Sequence, residues 1–464
     1  MSGQPHHDHK MSDAEGLMWR LDKDPYLSST FANVTILDRP PDMARLMRRM
    51  ERATYVFPRL RQRVQPMPVN LSAPAWVEDP EFDIAYHVRR IGLPKPGNMR
   101  QLLDLTSLIS MDPFDRTRPL WQFLVVEGIR GGQAALVEKL HHTITDGEGG
   151  VKLSLEFLDF DRDAPEPEPL EPDEIERHEA AATAGPSANE LLRGLVAGPL
   201  RLPIGIARQM KDLLADPASI PGASAAAGDA LRGVVSQLSD MDAARSPLWT
   251  ARSLRRNLQV LKAPYHETRA VAKALGGTLN TAFLTAAATA AGRYHDEFGE
   301  PVDQLRASMA ISTRTETSGA NAFSLARMLV PTGPMPIAER FTSIAEAADE
   351  AREASASASL ETLASIATSL PTSVVTRIVR TASQTVDFAT SNVRGTPVPV
   401  YIAGAEALAN YPVGPLAGVA FNLTLLSHVG SLDMGLNVDA AAVERPDRLQ
   451  HHLKRAFDEL LAEV

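Results

Sequence analysis

A run of alternating proline and glutamate interrupts the chain about a third of the way along. Residues 163–179 read DAPEPEPLEPDEIERHE. Proline fits neither a helix interior nor a central strand, and the like charges repel one another. The sequence therefore predicts an extended link, with one folded unit before it and another after it.

The composition beyond this link predicts a connecting segment. Residues 185–247 are rich in Ala, Gly and Pro, and regular periodicity returns near Leu254. We predict a first domain over 1–162, a linker and helical connecting segment over 163–250 and a second domain over 251–464. A length of 464 residues is typical of two domains.

Both predicted domains combine the hydrophobic periods of helices and strands. The patterns predict helices over 43–53, 151–158, 268–275 and 278–294, strands over 133–142 and 305–312, and a hairpin of 419–429 with 432–438. Two α/β halves with mixed sheets are therefore expected.

Composition excludes several functions. The chain has 47 basic and 57 acidic residues, a net charge of −10, so no nucleic-acid partner is expected. It has no cysteine, which excludes disulfides, thiolate metal sites and a cysteine nucleophile. The N-terminus, MSGQPHHDHK, has no apolar signal-peptide core, and no run of eighteen apolar residues occurs, so we expect a cytoplasmic protein without a membrane-spanning helix.

The sharpest motif is a histidine doublet, His141-His142, which closes a predicted strand and precedes Asp146 and Gly147. Successive strand residues point to opposite faces, so both imidazoles cannot line one pocket while the strand continues, and a two-histidine metal site is disfavoured. One histidine is expected to be buried as support and the other to face a cleft. Imidazole suits general-base work near neutral pH. The spacing alone leaves a functional and a structural role open.

Five landmarks in the chain resemble motifs of known acyltransferases. HHTITDG at 141–147 matches the HHxxxDG motif of the coenzyme-A-dependent acyltransferase superfamily. Four more resemble motifs of the bacterial wax ester synthase/diacylglycerol acyltransferase family, in the family's order: Pro119-Leu120-Trp121 (PLW), Gly276 to Asn280 (G-x-T-x-N-D), Ser391 to Gly395 (S-N-V-P-G) and Tyr411 to Pro415 (Y-P-V-G-P).

The resemblance implies an α/β fold of two chloramphenicol-acetyltransferase-like domains with mixed β-sheets flanked by helices, and an active site in a tunnel at their junction. It implies transfer of a fatty acyl group from acyl-CoA to the hydroxyl of diacylglycerol or a long-chain alcohol, without a metal or further cofactor. By matching position, His142 is the general base and Asp146 mainly a structural partner. The expected partners are acyl-CoA, the acceptor lipid and a membrane or lipid-droplet surface.

The chemistry of acyl transfer suits these residues. The acceptor hydroxyl must lose its proton as it attacks, and the oxyanion that forms needs a hydrogen-bond donor. Asn280 lies near the start of a predicted helix, where free N–H groups favour negative charge, so it is a candidate oxyanion donor or a residue that orients His142. The lack of cysteine and of a G-x-S-x-G turn favours direct transfer without an acyl-enzyme.

The sequence departs from the family pattern at two positions. Thr281 stands where the family has Asp after the Asn, which is tolerable if that Asp only stabilises a helix N-terminus and implies weak activity if it tunes the site. Arg394 replaces the proline of the S-N-V-P-G turn, which implies a looser turn or a phosphate contact.

Several other residues have a structural and a functional interpretation. Pro119 and Trp121 are predicted to serve packing rather than chemistry. Arg314 either pairs with Asp146 across the domain junction or lies on the surface. The remaining candidates are His428 as a satisfied sheet histidine, Tyr411 to Pro415 as a rigid turn, and Arg252, Arg255, Arg256 and Lys262 as a solvated basic stretch or a contact for CoA phosphates.

Residues 191–214 combine apolar helical spacing with interspersed cations, and Pro199 and Pro203 divide the pattern. This segment is interpreted as a helix between the domains or as a peripheral membrane contact. Two other functions stay open: a condensation-type or polyketide-associated acyltransferase of the same superfamily, and a weakly active lipid-binding homologue, which only Thr281 favours.

Overall fold

The computed structural model describes residues 10–66, 74–145, 147–167, 171, 173, 175–176, 245–312, 323–355, 364 and 372–463. The helices are α1 (Asp13–Leu21), α2 (Met43–Val56), α3 (Ile84–His87), α4 (Met99–Met111), α5 (Gly147–Ser154), α6 (Tyr265–Ala274), α7 (Leu279–Glu297), α8 (Ile337–Ser355), α9 (Thr372–Ser383) and α10 (Pro446–Leu461). The strands are β1 (Thr30–Leu37), β2 (Gln62–Gln65), β3 (Ala75–Glu78), β4 (Val88–Gly92), β5 (Trp121–Glu127), β6 (Ala134–His141), β7 (Leu158–Asp159), β8 (Arg256–Pro264), β9 (Gln304–Ser312), β10 (Phe323–Pro331), β11 (Phe388–Val393), β12 (Tyr401–Ile402), β13 (Ala405–Val413), β14 (Phe421–His428) and β15 (Ser431–Asp439).

Two mixed sheets organise the described part of the chain. The first has the order β4-β5-β6-β1-β13-β12-β7, and the second has the order β10-β9-β11-β14-β15-β8. In the first sheet β4 lies parallel to β5, and in the second β11 lies parallel to β14 and β9. The remaining pairs are antiparallel. The predicted α/β class with mixed sheets is confirmed.

The predicted elements agree with the observed ones where the periodicity is long. The strand expected over 133–142 is β6, the hairpin is β14 with β15, and the two helices of the second half are α6 and α7. The helix predicted over 151–158 is displaced, since α5 ends at Ser154 and Leu158 lies in a short strand.

Helix α7 is buried nearly all round. Its alanines let it approach neighbouring helices closely, and Ala282, Ala286, Ala287 and Ala290 have no solvent-exposed surface. A Cβ atom on Gly292 would lie 2.0 Å from the Thr332 carbonyl oxygen. Small residues are therefore required along this helix, which places its N-terminus, Thr278 and Asn280, rigidly beside the second sheet.

Strand β13 joins the two halves of the molecule. It comes from the predicted second domain, yet it pairs along its length with β1 of the first sheet. The chain therefore leaves the second sheet after β11, crosses to the first for β12 and β13, and returns for β14. The predicted boundaries of 1–162 and 251–464 do not include this exchange, which depends on pairing between residues far apart in sequence.

The return crossing is held by hydrogen bonds from the second sheet. Asn437 Nδ2 donates to the Gly414 carbonyl at 2.9 Å, and Asn422 Nδ2 donates to the Pro415 carbonyl at 2.7 Å. Tyr411 lies in β13, so the predicted rigid turn over 411–415 is confined to its last two residues. The segment Tyr411–Pro415 thus connects the two sheets, and we call this connection, with its hydrogen bonds from the second sheet, the seam.

Within the described residues, no helix is both long and apolar enough to cross a lipid bilayer.

The close contact at the seam generates a stability prediction. A Cβ atom on Gly435 would lie 1.9 Å from the Pro412 carbonyl oxygen, and both residues lie in paired strands. Gly435→Ala should therefore lower the free energy of unfolding by about 3 kcal/mol, as expected of overpacking that only a backbone shift can relieve.

Denaturant unfolding of Gly435→Ala beside Gly92→Ala measures this effect. Gly92 also lies in a strand, but no atom lies within 4 Å of the position of its added Cβ. The control should change stability by no more than about 0.5 kcal/mol. Equal stability of the two variants would contradict the tight seam.

Candidate active site

His141 is a buried support at the end of β6. Its side chain has 0% exposure. The Thr143 backbone N–H donates to His141 Nδ1 at 3.2 Å, so this nitrogen carries the lone pair. The ring proton of the neutral form is therefore on Nε2, which lies 3.5 Å from Asp22 Oδ1.

Asp22 follows α1 and attaches that helix to the histidine doublet. Ser28 Oγ donates to Asp22 Oδ1 at 2.7 Å. Burial acts to raise the pKa of Asp22, but the hydrogen bond and charge of His141, the Ser28 hydrogen bond and the charge of Arg116 together hold this pKa below its ordinary value. The carboxylate thus stays ionised beside His141 and restrains that ring.

His142 is more exposed to solvent than His141. Its side chain is half-buried, and its ring packs against Phe31 with the centroids 4.7 Å apart. The His142 backbone N–H donates to the Ser29 carbonyl at 3.2 Å. The alternation expected from a strand end therefore distinguishes the two histidines, with His141 turned inward and His142 on the accessible face.

Two of the predicted site residues, Asp146 and Arg314, lie outside the described residues. Gly147 begins α5, directly after the motif. The predicted pairing of Asp146 with Arg314 therefore stays a prediction.

Asn280 lies in the first turn of α7 and contacts a second motif. Asn392 Nδ2 donates to Asn280 Oδ1 at 2.5 Å, which joins the G-x-T-x-N segment to the Ser391–Gly395 segment. Among the described residues, this is the hydrogen bond that the Asn280 side chain makes, and it occupies Oδ1. His142 is not its partner.

Thr281 completes the N-terminal cap of α7. The Thr281 backbone N–H donates to Thr278 Oγ1 at 3.2 Å, and the Thr278 N–H donates to Thr281 Oγ1 at 3.3 Å. This reciprocal pair satisfies two N–H groups at the helix start, the task that an acidic side chain performs at this helix position. The departure from the family pattern thus preserves the cap.

The Pro119-Leu120-Trp121 segment serves packing, as its structural interpretation expects. Trp121 is fully buried, stacks on His87 with ring centroids 4.5 Å apart and donates its indole N–H to the Leu60 carbonyl at 2.8 Å. The Leu120 carbonyl accepts the His141 N–H at 3.0 Å. Burial lowers the pKa of His87 to about 4, so this imidazole is neutral at pH 7.

Two arginines of the basic stretch are partly buried in the fold, whereas Lys262 is exposed although it contacts an aspartate. Arg252 donates to the Gly418 and Trp249 carbonyls, Arg256 lies 3.6 Å from Asp439, and Lys262 lies 3.4 Å from Asp433. Arg255 is exposed. These contacts favour a structural role for the stretch over a CoA phosphate site.

The other isolated candidates are also structural. His428 Nε2 contacts the Ala407 carbonyl at 2.9 Å, in accord with the predicted sheet histidine, while its buried Nδ1 has no partner among the described residues. Arg394 is exposed, and a Cβ atom on its neighbour Gly395 would lie 2.1 Å from the Ser427 carbonyl oxygen. The glycine of this turn is therefore required by space, whereas the position of the missing proline is open.

Sequence analysis missed a buried carboxyl on the same strand as the doublet. Glu138 is 6% exposed, and its Oε2 accepts from Asn33 Nδ2 at 2.6 Å. Burial raises its pKa to about 7, which the Asn33 hydrogen bond only partly offsets. An acidic residue within the apolar run ALVEKL was the available signal.

Within the described ranges, no group of three or more His, Asp or Glu side chains is arranged to hold an ion.

The whole chain is similar to acyltransferases. Residues 11–283 match the wax ester synthase/diacylglycerol acyltransferase catalytic domain, and residues 319–461 match the C-terminal domain of the same family. A Mycobacterium tuberculosis protein, provisionally named as a diacylglycerol O-acyltransferase, is 31% identical over 472 residues, which cover 98% of this chain and 92% of that protein. A second relative from that bacterium, named a probable diacylglycerol O-acyltransferase, is 26% identical and covers 96% and 94%.

Solved structures show the same fold. The wax ester synthase/diacylglycerol acyltransferase of Marinobacter aquaeolei VT8 has a TM-score of 0.66 at 22% identity, over 97% of this chain and 98% of its own. The starter condensation domain of rhizomide synthetase has a TM-score of 0.56 at 12% identity, over 98% and 94%. The expected architecture of two chloramphenicol-acetyltransferase-like halves is thereby confirmed.

The raised pKa of Glu138 generates a pH prediction. Between the ordinary glutamate pKa of 4.5 and the folded value of about 7, the folded protein holds a proton that the unfolded chain has released. The free energy of unfolding therefore falls as pH rises through this range, and the loss persists above it. Glu138→Gln removes this loss.

Thermal unfolding at pH 5 and pH 8 measures the difference. Glu138→Gln should raise the melting temperature relative to the parent more at pH 8 than at pH 5. Glu127→Gln is the control, because that carboxylate is paired with Arg90 at the surface. The same shift at both pH values would show that Glu138 titrates normally.

Proposed function

The chain belongs to the wax ester synthase/diacylglycerol acyltransferase family, and we propose that it transfers a fatty acyl group directly from acyl-CoA to the hydroxyl of diacylglycerol or a long-chain alcohol, with His142 as the general base. Family membership makes it an acyl-CoA-dependent O-acyltransferase. The acceptor, the base and the direct route are the parts that we propose.

The split environment of the histidine doublet carries this proposal. His141 is buried and restrained by Asp22 and Thr143, whereas His142 is half-buried on the face of the strand that also carries Phe31. A general base must come within hydrogen-bond reach of the proton that it abstracts, and a ring with no exposed surface cannot. Of the two imidazoles, His142 therefore suits the chemistry.

In the proposed step, the acceptor oxygen attacks the thioester carbonyl while its proton passes to the His142 imidazole. The tetrahedral intermediate then collapses, the carbon–sulfur bond breaks, and the proton passes to the departing CoA thiolate. An ester and free CoA are formed, and acyl-CoA enters as a substrate, so the step needs no further cofactor.

Asn280 is proposed to act near the oxyanion. Its Oδ1 is held by Asn392, which leaves the Nδ2 hydrogens to donate, and it lies in the first turn of α7, where the helix dipole favours negative charge. Asp146 is proposed to anchor the loop between β6 and α5.

The sequence argument for a weakly active lipid-binding homologue is not supported by the position of Thr281. It depended on Thr281 as a sign of a damaged site, but the threonine forms the reciprocal cap of α7. The other alternative is a condensation-type acyltransferase. In that case neither lipid acceptor would increase the release of CoA in the assay described below.

His142→Ala should abolish most transfer while leaving the fold intact, because removal of a general base typically costs about 10²- to 10⁴-fold in rate. His141→Ala should mainly lower the melting temperature, because it removes a buried ring held by Asp22 and Thr143.

The assay is release of free CoA thiol from palmitoyl-CoA, with and without diacylglycerol or hexadecanol, alongside thermal unfolding of both variants. Equal and mild losses of activity in the two variants would contradict the assignment of His142.

Contact with a lipid surface is proposed because diacylglycerol and long-chain alcohols are nearly insoluble. The sequence pattern of residues 191–214, which lie outside the described residues, combines apolar spacing with cations. Such a segment binds an anionic surface weakly and reversibly.

Changing Ile206, Met210 and Leu213 together to Ser should reduce co-sedimentation with anionic vesicles. Turnover of a vesicle-borne acceptor should fall more than turnover of a detergent-solubilised short alcohol. Undiminished vesicle binding by this triple variant would place the lipid contact elsewhere.

A further inference from the structure

The turn between β14 and β15 carries an apolar residue in a strained conformation. Val429 and Gly430 form this two-residue turn with φ angles of 43° and 78°, between the paired residues His428 and Ser431. Both positions of such a turn lie in the left-handed region, and Asn-Gly is the pair that favours it. A β-branched side chain is an outlier there, because it crowds the backbone. Val429 is 42% exposed, so packing in the core does not account for the valine.

An exposed apolar loop lies against this turn. The Val429 N–H donates to the Thr396 carbonyl at 3.1 Å, and Thr396 Oγ1 donates to the Val398 carbonyl at 3.0 Å. Val398 is 44% exposed, and the prolines on both sides of it are exposed as well. The turn and the loop therefore present apolar surface side by side.

Leu408, on strand β13, adds to the same surface and is 40% exposed. Its neighbour Ala407 accepts at its carbonyl from His428 Nε2 at 2.9 Å and donates its N–H to the Val400 carbonyl at 2.9 Å. Leu408 thus lies beside both the strand end that leads to the turn and the end of the loop. We call this surface the apolar tip, and it consists of Pro397–Pro399, Leu408 and Val429.

The apolar tip is a cluster rather than a scatter of single side chains. It holds three of the eight large apolar side chains that are exposed in the described part of the chain. Single exposed apolar residues are normal on a protein surface, whereas a group of them rimmed by polar residues is typical of an interaction site.

Cations surround the apolar tip. Arg394 is exposed just before the loop, and Lys262, also exposed, donates from Nζ to the Leu408 carbonyl at 3.2 Å. The His266 ring lies 3.8 Å from the position that a Cβ atom on Gly430 would take. The rim of the tip therefore carries basic side chains on more than one side.

The acidic residues nearby do not cancel this charge. Asp433, which lies 3.4 Å from Lys262, has no exposed surface, and Glu267 is the exposed acid in the first turn of α6. The whole chain has a net charge of −10, so a basic rim is a local feature. Apolar side chains within a basic rim suit the surface of an anionic lipid layer.

The apolar tip also lies close to the candidate active site. Asn392, which donates to Asn280, precedes Pro397 by five residues. Even a fully extended chain of that length spans only about 18 Å. A lipid surface at the tip would therefore be near the residue proposed to act at the oxyanion.

We propose that the apolar tip binds an anionic lipid surface, with Val398, Leu408 and Val429 against the acyl chains and Arg394 and Lys262 on the lipid phosphates. The inference rests on the proposed function, in which an insoluble acceptor comes from such a surface. It explains why valine is kept in a strained turn, since apolar surface is needed there on the outside. It gives Arg394 the phosphate contact that its place in the motif left open.

Val429→Asn separates lipid binding from a structural role. Asn-Gly suits the turn, so the melting temperature should rise. Affinity for vesicles of phosphatidylcholine with phosphatidylglycerol should fall about tenfold, because the burial of one apolar side chain is lost. Thermal unfolding and vesicle co-sedimentation measure the two changes. A residue that serves only the fold would not give a more stable protein that binds lipid less.

Ala417→Asn is the matched control. Ala417 has a φ of 45°, is exposed and precedes Gly418 in a turn before β14, at the opposite end of that strand from Val429. This substitution should also raise the melting temperature, and it should leave vesicle binding at the parental level.

The charged rim has its own test. Arg394→Gln should weaken binding to vesicles that contain phosphatidylglycerol by about fivefold, the effect of one cation near an anionic surface. It should leave binding to vesicles of phosphatidylcholine alone unchanged, whereas Val429→Asn should weaken both. Added salt should reduce the effect of the arginine.

Three results would overturn the proposal. One is a parent chain that binds neither kind of vesicle. Another is parental vesicle binding by Val429→Asn. The third is a parent that elutes as a dimer and a Val429→Asn variant that elutes as a monomer with unchanged vesicle binding, which would make the apolar tip an interface between two copies of the chain.

A soluble assay separates this proposal from the proposed function. Val429→Asn should acylate detergent-solubilised hexadecanol at the parental rate, and an equal loss with detergent and vesicle acceptors would contradict the tip as a lipid contact. If the parent acylates no alcohol, the proposed function is wrong, and co-sedimentation of the same variants still decides whether the apolar tip binds lipid.

Discussion

The pairing of β13 with β1 is the interaction on which the rest of the molecule depends. Residues 401–413 leave the second half of the chain and complete the first sheet, so neither sheet is built from one continuous stretch of sequence. The crossing back is fixed by Asn422 and Asn437, and by a glycine, Gly435, that leaves room for the Pro412 carbonyl. Because β1 also pairs with β6, the strand that ends in the histidine doublet is one step from this seam. Folding of the seam and placement of the doublet are therefore coupled.

The doublet shows how one strand can supply both a support and a reactive group. A strand alternates faces at every residue, so two adjacent histidines experience different environments without any special loop. His141 is held by Asp22, at the end of α1, and by Thr143, immediately beyond the strand. Because His142 directly follows this restrained residue, its backbone position is fixed, while its own ring is half-buried. The asymmetry follows from pleating alone and needs no difference in residue type.

Local sequence patterns predicted individual helices and strands, but they did not predict which strands pair over long distances in the sequence. Periodicity found β6, α7 and the β14–β15 hairpin because each is encoded within about twenty residues. The exchange of β13 was missed, since it depends on partners more than 350 residues apart, such as Val34 and Tyr411. In the candidate site, the alternation of strand side chains predicted that the two histidines face different environments. The resemblance to the family motif then selected His142 as the predicted general base. The Asn280–Asn392 contact could not be predicted from spacing, because it joins a helix start to a strand end 112 positions away.

Glu138 is a buried carboxyl that lowers the stability of the fold relative to an apolar residue at the same position. The strand around it, ALVEKL, would pack well with an apolar residue, and its neighbours Leu136 and Leu140 are buried in the core on the same face. A carboxyl there is largely desolvated and, in the part of the chain that the structure describes, has Asn33 alone as a hydrogen-bond partner, so the sequence retains a group that the fold alone would disfavour. Lys139, the next residue, resolves the same difficulty differently: its ammonium donates to the Asp112 carbonyl and lies over the Phe114 ring. Among the described residues the lysine has two partners and the glutamate has one, and burial shifts both groups towards their neutral forms, lowering the pKa of Lys139 to about 8 and raising the pKa of Glu138 to about 7.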